Sequence, residues 1–208
     1  MIQTIIYRKG WRGVITEKNI ARLSAIRGAV PKETCIRIDA NQGWTPKEAV
    51  RILNGMQEKG LDLEFVEQPV KAHDFEGLKY VTERSYVPVL ADESVFSPQD
   101  ALTIMQMGAA DLVNIKLMKC GGLYPAEKIN AIAEANHVQC MVGCMLETKV
   151  AIAAGVSLVA AKQNITEADC DSFMYAVDPE MGMPGGFAVN GGVYTLSDKP
   201  GLGIDIDF

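Results

Sequence analysis

Residues 35–69 read CIRIDANQGWTPKEAVRILNGMQEKGLDLEFVEQP, and this stretch predicts one strand, one helix and a second strand. The short apolar runs at its two ends are typical of buried parallel strands. The segment between them begins like a helix, because Thr45 can cap it, Pro46 suits its first turn and Glu48 completes a capping box. Parallel strands need such a crossover, so the stretch is one βαβ unit.

The same alternation of apolar runs and helix-like segments continues along the chain. The helix after Thr45 is expected to end at Gly60, and a second one after Ser97 at Gly108, because glycine commonly follows a last helical turn. The spacing is close to the roughly 31 residues of one (β/α)₈ barrel unit. We therefore predict an α/β fold, an incomplete TIM-type (β/α) barrel with about seven strands; an open doubly wound sheet is the alternative. The predicted strands lie at 35–39, 63–67, 87–92, 112–117, 139–143 and 164–168.

The two ends of the chain depart from this repeat. Residues 178–208 are rich in glycine and proline and favour turns and short strands over another strand and helix. The start of the chain offers at most one strand before a helix at about 16–30. We therefore predict a partial barrel, the catalytic domain, at 1–177 and a C-terminal tail at 178–208.

The composition argues against several classes of partner. The net charge is −6, the pI is about 5.0, and no cluster of Lys and Arg offers the basic face that nucleic acids need. We see neither a signal peptide nor an apolar run near the roughly 18 residues of a membrane span, so we expect a cytoplasmic protein. The five cysteines are odd in number and scattered, which favours reduced thiols in a core. A zinc site at Cys140 and Cys144 is the alternative.

Acidic residues end three successive predicted strands. Asp39 closes IRID, Glu67 closes LEFVE and Asp92 follows VPVLA, at intervals of roughly one barrel unit. The carboxyl ends of parallel strands meet at one face, so we expect these side chains to lie together. Neighbouring carboxylates repel one another unless a cation binds, and an all-oxygen set of ligands suits Mg²⁺. The alternative for each acid is a solvated strand end or a helix cap.

Lys116 lies in the next predicted strand, in the sequence VNIKL, again about one unit further along the chain. A lysine at such a position can simply extend its ammonium group to solvent. Beside a cation the ammonium form is disfavoured, so we expect a lowered pKa for Lys116 and a neutral amine that acts as a general base. A metal together with such a base indicates abstraction of a proton next to a carboxylate.

The series RIDANQGW, EFVEQP, LADES and NIKLMKCGG, in this order and spacing, resembles the enolase superfamily. Specifically, it is similar to the dipeptide epimerases of the muconate-lactonizing subgroup, over about residues 16–208. The resemblance implies that Asp39, Glu67 and Asp92 bind Mg²⁺ and that Lys116 is one of two catalytic acid/bases. It also implies 1,1-proton transfer at the α-carbon of a dipeptide's C-terminal residue, through an enediolate that the metal stabilises.

Two further stretches concern the substrate. GCMLET places Met145 and Glu147 at the end of the next predicted strand, which is similar to a substrate-facing strand of the superfamily. EADCDSF places Asp169 and Asp171 at the end of the last predicted strand, and alternate residues of a strand share a face. In the dipeptide epimerases that this chain resembles, an Asp-x-Asp in this place binds the substrate's α-ammonium group. The alternative is a solvated turn.

The beginning of the chain departs from the family pattern. The family has an N-terminal capping domain and a Lys-x-Lys motif on its second barrel strand, whereas residues 5–13 read IIYRKGWRG, with Arg8 and Lys9. A guanidinium hardly ever loses its proton, so Arg8 is a poor partner base for Lys116. We therefore expect an N-terminally truncated chain in which the second base is not evident.

The C-terminal tail is affected in the same way. In the family it packs against the capping domain, so its apolar residues Phe187, Val189 and Val193 are expected to lack cover. The strand edges of an open barrel are also expected to be exposed. The sequence therefore predicts either self-association, as a homo-oligomer, or a truncated product.

Three functional hypotheses remain. The leading one is a Mg²⁺-dependent dipeptide epimerase-like isomerase with a small-molecule substrate, a chain that we do not expect to complete the 1,1-proton transfer alone, because the second base is not evident. The second is a catalytically silent remnant that retains a metal site or acts as an assembly partner. The third keeps an enzyme of the superfamily but changes its reaction to that of muconate cycloisomerases or succinylbenzoate synthases, which have no substrate ammonium group to bind.

Overall fold

A computed structural model of the chain describes residues 2–5, 14–176, 178 and 182–205. The strands of the predicted repeat are β1 at Ile2–Ile5, β2 at Ile36–Asp39, β3 at Leu63–Glu67, β4 at Val89–Ala91, β5 at Leu112–Lys116, β6 at Gln139–Gly143 and β7 at Ile165–Asp169. The helices are α1 at Val14–Ala29, α2 at Pro46–Glu58, α3 at Phe75–Thr82, α4 at Pro98–Met107, α5 at Leu117–Cys120, α6 at Leu123–Ala135 and α7 at Lys149–Ala161. The final elements are a 3₁₀ turn at Ser172–Tyr175, β8 at Phe187–Asn190 and β9 at Val193–Leu196.

The chain divides into two compact units. The first comprises the described residues within Met1–Val95 and Thr103–Val113, and the second those within Phe96–Leu102 and Asn114–Phe208. In the first unit, β1 to β4 and the start of β5 pair in sequence order and are all parallel. The second unit holds the parallel pair β6–β7 and the antiparallel hairpin β8–β9. The boundary between 177 and 178 stays a prediction.

Parallel strands joined by helices confirm the predicted α/β class. Seven such strands lie in the described part of the chain, fewer than the eight of a complete (β/α)₈ barrel. Within the first unit the strands follow one another without the change of direction that marks a doubly wound sheet. The fold is therefore the incomplete TIM-type barrel that the sequence predicts.

The helices begin and end where their capping residues require. The Thr45 N–H donates to the Glu48 carboxylate at 3.0 Å, which completes the predicted capping box of α2. Helix α2 stops before Gly60 at φ +71°, and α4, which follows Ser97, stops before Gly108 at φ +60°. The buried stripe of α2 consists of Ala49, Ile52, Leu53 and Met56. No helix in the described part combines the length and the apolar character of a membrane span.

The hairpin of β8 and β9 packs within the second unit. The Phe187 ring lies 5.2 Å from the Phe173 ring and 5.5 Å from the Tyr194 ring, centroid to centroid. Phe187 is only 9% exposed, so the prediction that it lacks cover is wrong, because Phe173 from the 3₁₀ turn covers it. Val193 is 65% exposed, as predicted, and Val189 is half-buried.

The five thiols are free and differ in burial. Cys140 and Cys170 are buried, which agrees with the predicted core placement, and Cys120 and Cys144 are half-buried. Cys35 is exposed directly before β2, so the prediction of a core position is wrong for this residue. Burial raises the pKa of Cys140 to about 12, which keeps this thiol protonated near neutral pH.

Candidate active site

The three predicted metal ligands lie at the ends of neighbouring strands in the first unit. Asp39 is the last residue of β2, Glu67 is the last residue of β3, and Asp92 directly follows β4. Asp39 and Glu67 are register partners. Glu67 is in turn opposite Leu90, two residues before Asp92. The predicted alignment of these acids at the carboxyl ends of successive strands is therefore confirmed.

All three acids are withdrawn from solvent. The exposed fractions are 9% for Asp39, 1% for Glu67 and 3% for Asp92, which rules out fully solvated strand ends. The Asn41 N–H donates to Asp39 Oδ1 at 2.8 Å, so the backbone that leaves β2 turns back onto this carboxylate. Burial of several carboxylates at one edge is costly unless hydrogen bonds or a cation compensate their charge.

The chemistry of this donor set fits a hard cation such as Mg²⁺, which takes carboxylate oxygens as ligands. Across the described residues, no three acidic, His or Cys side chains are arranged closely enough to hold an ion in the observed conformation. Ligation of Mg²⁺ by Asp39, Glu67 and Asp92 therefore stays a prediction.

Lys116 is the last residue of β5, and its side chain lies against the end of β6 within the second unit. A Cβ atom placed on Gly143 would lie 3.0 Å from Lys116 Cε and 2.7 Å from Asn114 Oδ1. A side chain at position 143 would therefore displace both neighbours. Gly143 is also the register partner of Asp169. The candidate base thus lies beside the strand pair that carries one of the predicted substrate-binding acids.

The two acids of the EADCDSF stretch do not lie on one strand. β7 ends at Asp169, and Asp171 has φ −105° and ψ −1° directly before the 3₁₀ turn. The prediction that they share a strand face is wrong, because the chain has already turned at Asp171. Both residues are half-buried. Their role in binding an ammonium group stays a prediction.

Met145 and Glu147 lie in the loop between β6 and α7. Met145 is 39% exposed, whereas Glu147 is only 6% exposed. The Glu147 carboxylate accepts the Met145 N–H at 3.2 Å, and the Glu147 N–H donates to Ser172 Oγ at 3.2 Å. Glu147 therefore fixes this loop to the turn that follows β7, while Met145 presents an apolar side chain at the surface.

The acids of the second unit also influence a neighbouring thiol. Burial raises the pKa of Cys170 to about 12, and Cys144 and the charges of Asp169, Glu147 and Asp171 contribute to the rise. A thiol in this state stays protonated near neutral pH and is a poor nucleophile. The same three carboxylates therefore lie near Cys170 within the second unit.

The predicted departure from the family pattern, Arg8 and Lys9 in place of a Lys-x-Lys motif, lies outside the described residues. Three residues within the described part shape the candidate site but carried no role in the sequence interpretation, namely Gln42, Gln68 and Gly143. Gln68 had a detectable signal, since an amide stands directly after the acid that ends an apolar strand. Gln42 and Gly143 have no such sequence signal, because the residues that they contact are distant in sequence.

The fold is an incomplete (β/α) barrel, and buried acids lie at the carboxyl ends of its successive strands. These two features place the chain among the α/β-barrel proteins whose sites lie at the carboxyl ends of the strands. The chain belongs to the enolase C-terminal domain-like family, which matches residues 8–208. The resemblance to the enolase superfamily that the sequence motifs indicate is thereby confirmed.

The relatives of this chain include dipeptide epimerases. The L-Ala-D/L-Glu epimerase of Bacillus subtilis is 47% identical over 203 residues, which are 97% of this chain and 54% of that protein. A solved substrate-liganded complex of the L-Ala-D/L-Glu epimerase from Bacillus subtilis has a TM-score of 0.88 at 48% identity, with 91% of this chain and 52% of that one covered. The dipeptide epimerase from Enterococcus faecalis V583 complexed with Mg and L-Leu-L-Tyr has a TM-score of 0.85 at 45% identity, with 92% and 53% covered. The chain spans about half the length of these relatives.

Proposed function

We propose that this chain carries the catalytic barrel of a Mg²⁺-dependent dipeptide epimerase, which transfers a proton at the α-carbon of a dipeptide's C-terminal residue. The observation that carries the proposal is the set of three buried carboxylates, Asp39, Glu67 and Asp92, at the ends of neighbouring parallel strands. The substrate class is supported by similarity to an L-Ala-D/L-Glu epimerase and to a dipeptide epimerase complexed with Mg and L-Leu-L-Tyr.

In this proposal Asp39, Glu67 and Asp92 hold the Mg²⁺ ion. When bound, the cation neutralises charge on the substrate carboxylate and so makes the adjacent C–H group more acidic. The three protein carboxylates contribute oxygen ligands and a fixed position at the strand ends. Their burial excludes water from the side of the site that they form.

Lys116 is the proposed acid/base on one side of the α-carbon. Its neutral Nζ takes the α-proton, and the electron pair of the broken C–H bond moves into the substrate carboxylate. Return of a proton by Lys116 to the same side regenerates the substrate and exchanges its α-proton with solvent, whereas the epimer forms only when a second acid delivers a proton to the opposite side. Gly143 leaves the space in which the Lys116 side chain lies, and this fixed geometry favours proton transfer.

Residues after β6 and at the end of β7 are the proposed contacts to the rest of the dipeptide. Asp169 and Asp171 pair with the α-ammonium group, whose charge is opposite to that of their carboxylates. Met145 offers an apolar contact, and Glu147 orders the loop that presents it. Two acids that suit an ammonium group favour epimerisation of a dipeptide over cycloisomerisation or dehydration, because the substrates of those reactions have no ammonium group.

The test is exchange of the α-proton in D₂O with L-Ala-L-Glu and L-Leu-L-Tyr as probes, followed by mass spectrometry. We expect Mg²⁺-dependent deuterium incorporation that Lys116→Ala lowers by at least about 100-fold. The control Lys128→Ala removes an exposed lysine of α6 and leaves the rate unchanged. Mg²⁺ binding by calorimetry without any exchange favours the silent remnant, and equal exchange by Lys116→Ala contradicts the proposed role of this lysine.

A further inference from the structure

Gln68 is fully buried, and its side-chain amide is fully used in hydrogen bonds within the first unit. Its Oε1 accepts the backbone N–H of Asp92 at 2.9 Å and that of Ser94 at 3.1 Å. Its Nε2 donates to the Val70 carbonyl at 2.9 Å and to Ser94 Oγ at 2.8 Å. A primary amide has two donor and two acceptor sites, so Gln68 is satisfied at all four. The orientation of the amide is also fixed, because two backbone N–H groups require its oxygen.

The position of Gln68 connects two of the proposed metal ligands. Its backbone directly follows Glu67 and leaves β3 in a left-handed conformation at φ +34°, while its own N–H donates to the Leu90 carbonyl at 2.9 Å. Its side chain then reaches the backbone of the loop that begins at Asp92. One residue therefore ties the end of β3 to the end of β4 through both its main chain and its side chain.

Gln42 extends the same network to the loop after Asp39. The Gln42 N–H donates to the Gln68 carbonyl at 2.8 Å. Its side-chain amide donates to the Glu93 carboxylate at 3.1 Å and accepts the Ala72 N–H at 3.0 Å. The three loops that follow the acid-bearing strands are thus held together by two glutamine side chains.

Elsewhere in the first unit, a similar amide bridge serves as a comparison. Asn54 on α2 donates to the Arg84 carbonyl at 3.0 Å and accepts the Tyr86 N–H at 2.9 Å. These partners precede β4, whereas the partners of Gln68 follow it. Removing either bridge costs backbone hydrogen bonds, but only Gln68 contacts a loop with a proposed metal ligand.

We propose that Gln68 is a positioning residue, which sets the place of Asp92 relative to Glu67 and thereby the affinity of the strand-end acids for Mg²⁺. The inference rests on the proposed function, in which these acids bind the ion. Residues that orient metal ligands from outside the ligand set typically change metal affinity 10- to 100-fold when replaced. Gln68 acts through the backbone of Asp92 and does not itself contact the ion.

The test compares Mg²⁺ titrations by calorimetry for the wild-type chain, Gln68→Met and Asn54→Leu. Each substitution keeps approximately the size of the side chain and removes one amide bridge. We expect Gln68→Met to raise the Kd for Mg²⁺ by about 10- to 100-fold, and Asn54→Leu to change it by less than about twofold. Both variants should lower the midpoint of thermal unfolding. A loss of stability therefore does not distinguish the two variants, whereas the Kd for Mg²⁺ does.

An unchanged Kd in a folded Gln68→Met variant overturns the inference and leaves the proposed function intact. A wild-type chain that binds no Mg²⁺ overturns the metal site and the inference with it. If circular dichroism shows that Gln68→Met is unfolded, Gln68→Asn replaces it, because a side chain that is one methylene shorter keeps an amide but withdraws its oxygen from the Asp92 N–H. A several-fold rise of the Kd for Gln68→Asn supports the inference, and an unchanged Kd overturns it.

Discussion

Gly143 shows how a single residue at a strand end limits the position of a candidate base. A side chain there would approach the Asn114 amide and the Lys116 methylene chain at distances shorter than van der Waals contact. Lys116 is long and flexible, but it cannot occupy the same volume as a methyl group. The position of the Lys116 amine therefore depends on the absence of a Cβ atom at Gly143.

We predict that Gly143→Ala lowers the rate of α-proton exchange on the order of 100-fold, because a displacement of about 1 Å at a reacting group has an effect of this size. The measurement is deuterium incorporation into L-Ala-L-Glu. The control is Gly155→Ala in α7, where an added Cβ would lie at ordinary distances of 3.5 Å from Val142 and 3.6 Å from Cys170. Equal losses in the two variants would contradict the role of Gly143.

The residues with charged side chains were largely predictable one by one. Asp39, Glu67 and Asp92 stand directly at or after apolar runs, so the sequence itself indicates their placement at strand ends. Asp171 was misplaced, because a period of two residues holds only while the strand continues. Gly143 was not predictable as a site residue, since its importance comes from Lys116, which belongs to another strand.

At the scale of elements, helix α2 is specified by both its cap and its stripe. Leu53 is fully buried and belongs to the stripe, whereas Arg51 on the same helix is exposed. A helix of this length gains most of its stability from such packing rather than from its intrinsic propensity.

We predict that Leu53→Ala lowers the free energy of unfolding by about 2–5 kcal/mol, because the substitution leaves a cavity under the helix. Arg51→Ala should change it by less than about 0.5 kcal/mol. Urea denaturation followed by circular dichroism measures both values. A Leu53→Ala variant as stable as the Arg51→Ala variant would contradict the buried stripe.

The helices and strands are predictable from local sequence patterns. The contacts of Gln68 and Phe187 are not, because they join residues that are distant in sequence. The capping partners of α2 and α4, Thr45 with Glu48 and Ser97 with Asp100, lie three residues apart in each case. The partners of Gln68, in contrast, are Asp92 and Ser94, more than twenty residues away. The burial of Phe187 likewise depends on Phe173, from a turn that precedes the hairpin. Such contacts leave no periodic signal in a single sequence.

At the scale of the whole molecule, exposed apolar side chains follow the carboxyl ends of β6 and β7. Leu146 is 85% exposed after β6, and Met174 and Tyr175 are 53% and 75% exposed after β7. The two strands are parallel neighbours, so their following segments leave the same edge of the pair. Grouped exposure of this kind is typical of surfaces that bind another protein.

We predict that the chain self-associates, with a mass above 22.6 kDa in size-exclusion chromatography with light scattering. Tyr175→Ser should weaken the association by about tenfold, since aromatic anchors carry much of the energy of an interface. Tyr86→Ser, which alters a tyrosine of the first unit that is 71% exposed, is the matched control. A monomer at all concentrations would contradict self-association.

The amide of Gln68 also has a consequence for the loop after β4. The backbone N–H groups of Asp92 and Ser94 both donate to one buried side-chain oxygen, Oε1 of Gln68. Their hydrogens therefore exchange with solvent only when that side chain withdraws, a local opening that differs from unfolding of the strands around it. We therefore expect these two loop protons to exchange more slowly than those of an exposed loop, at a rate set by how often the Gln68 side chain withdraws.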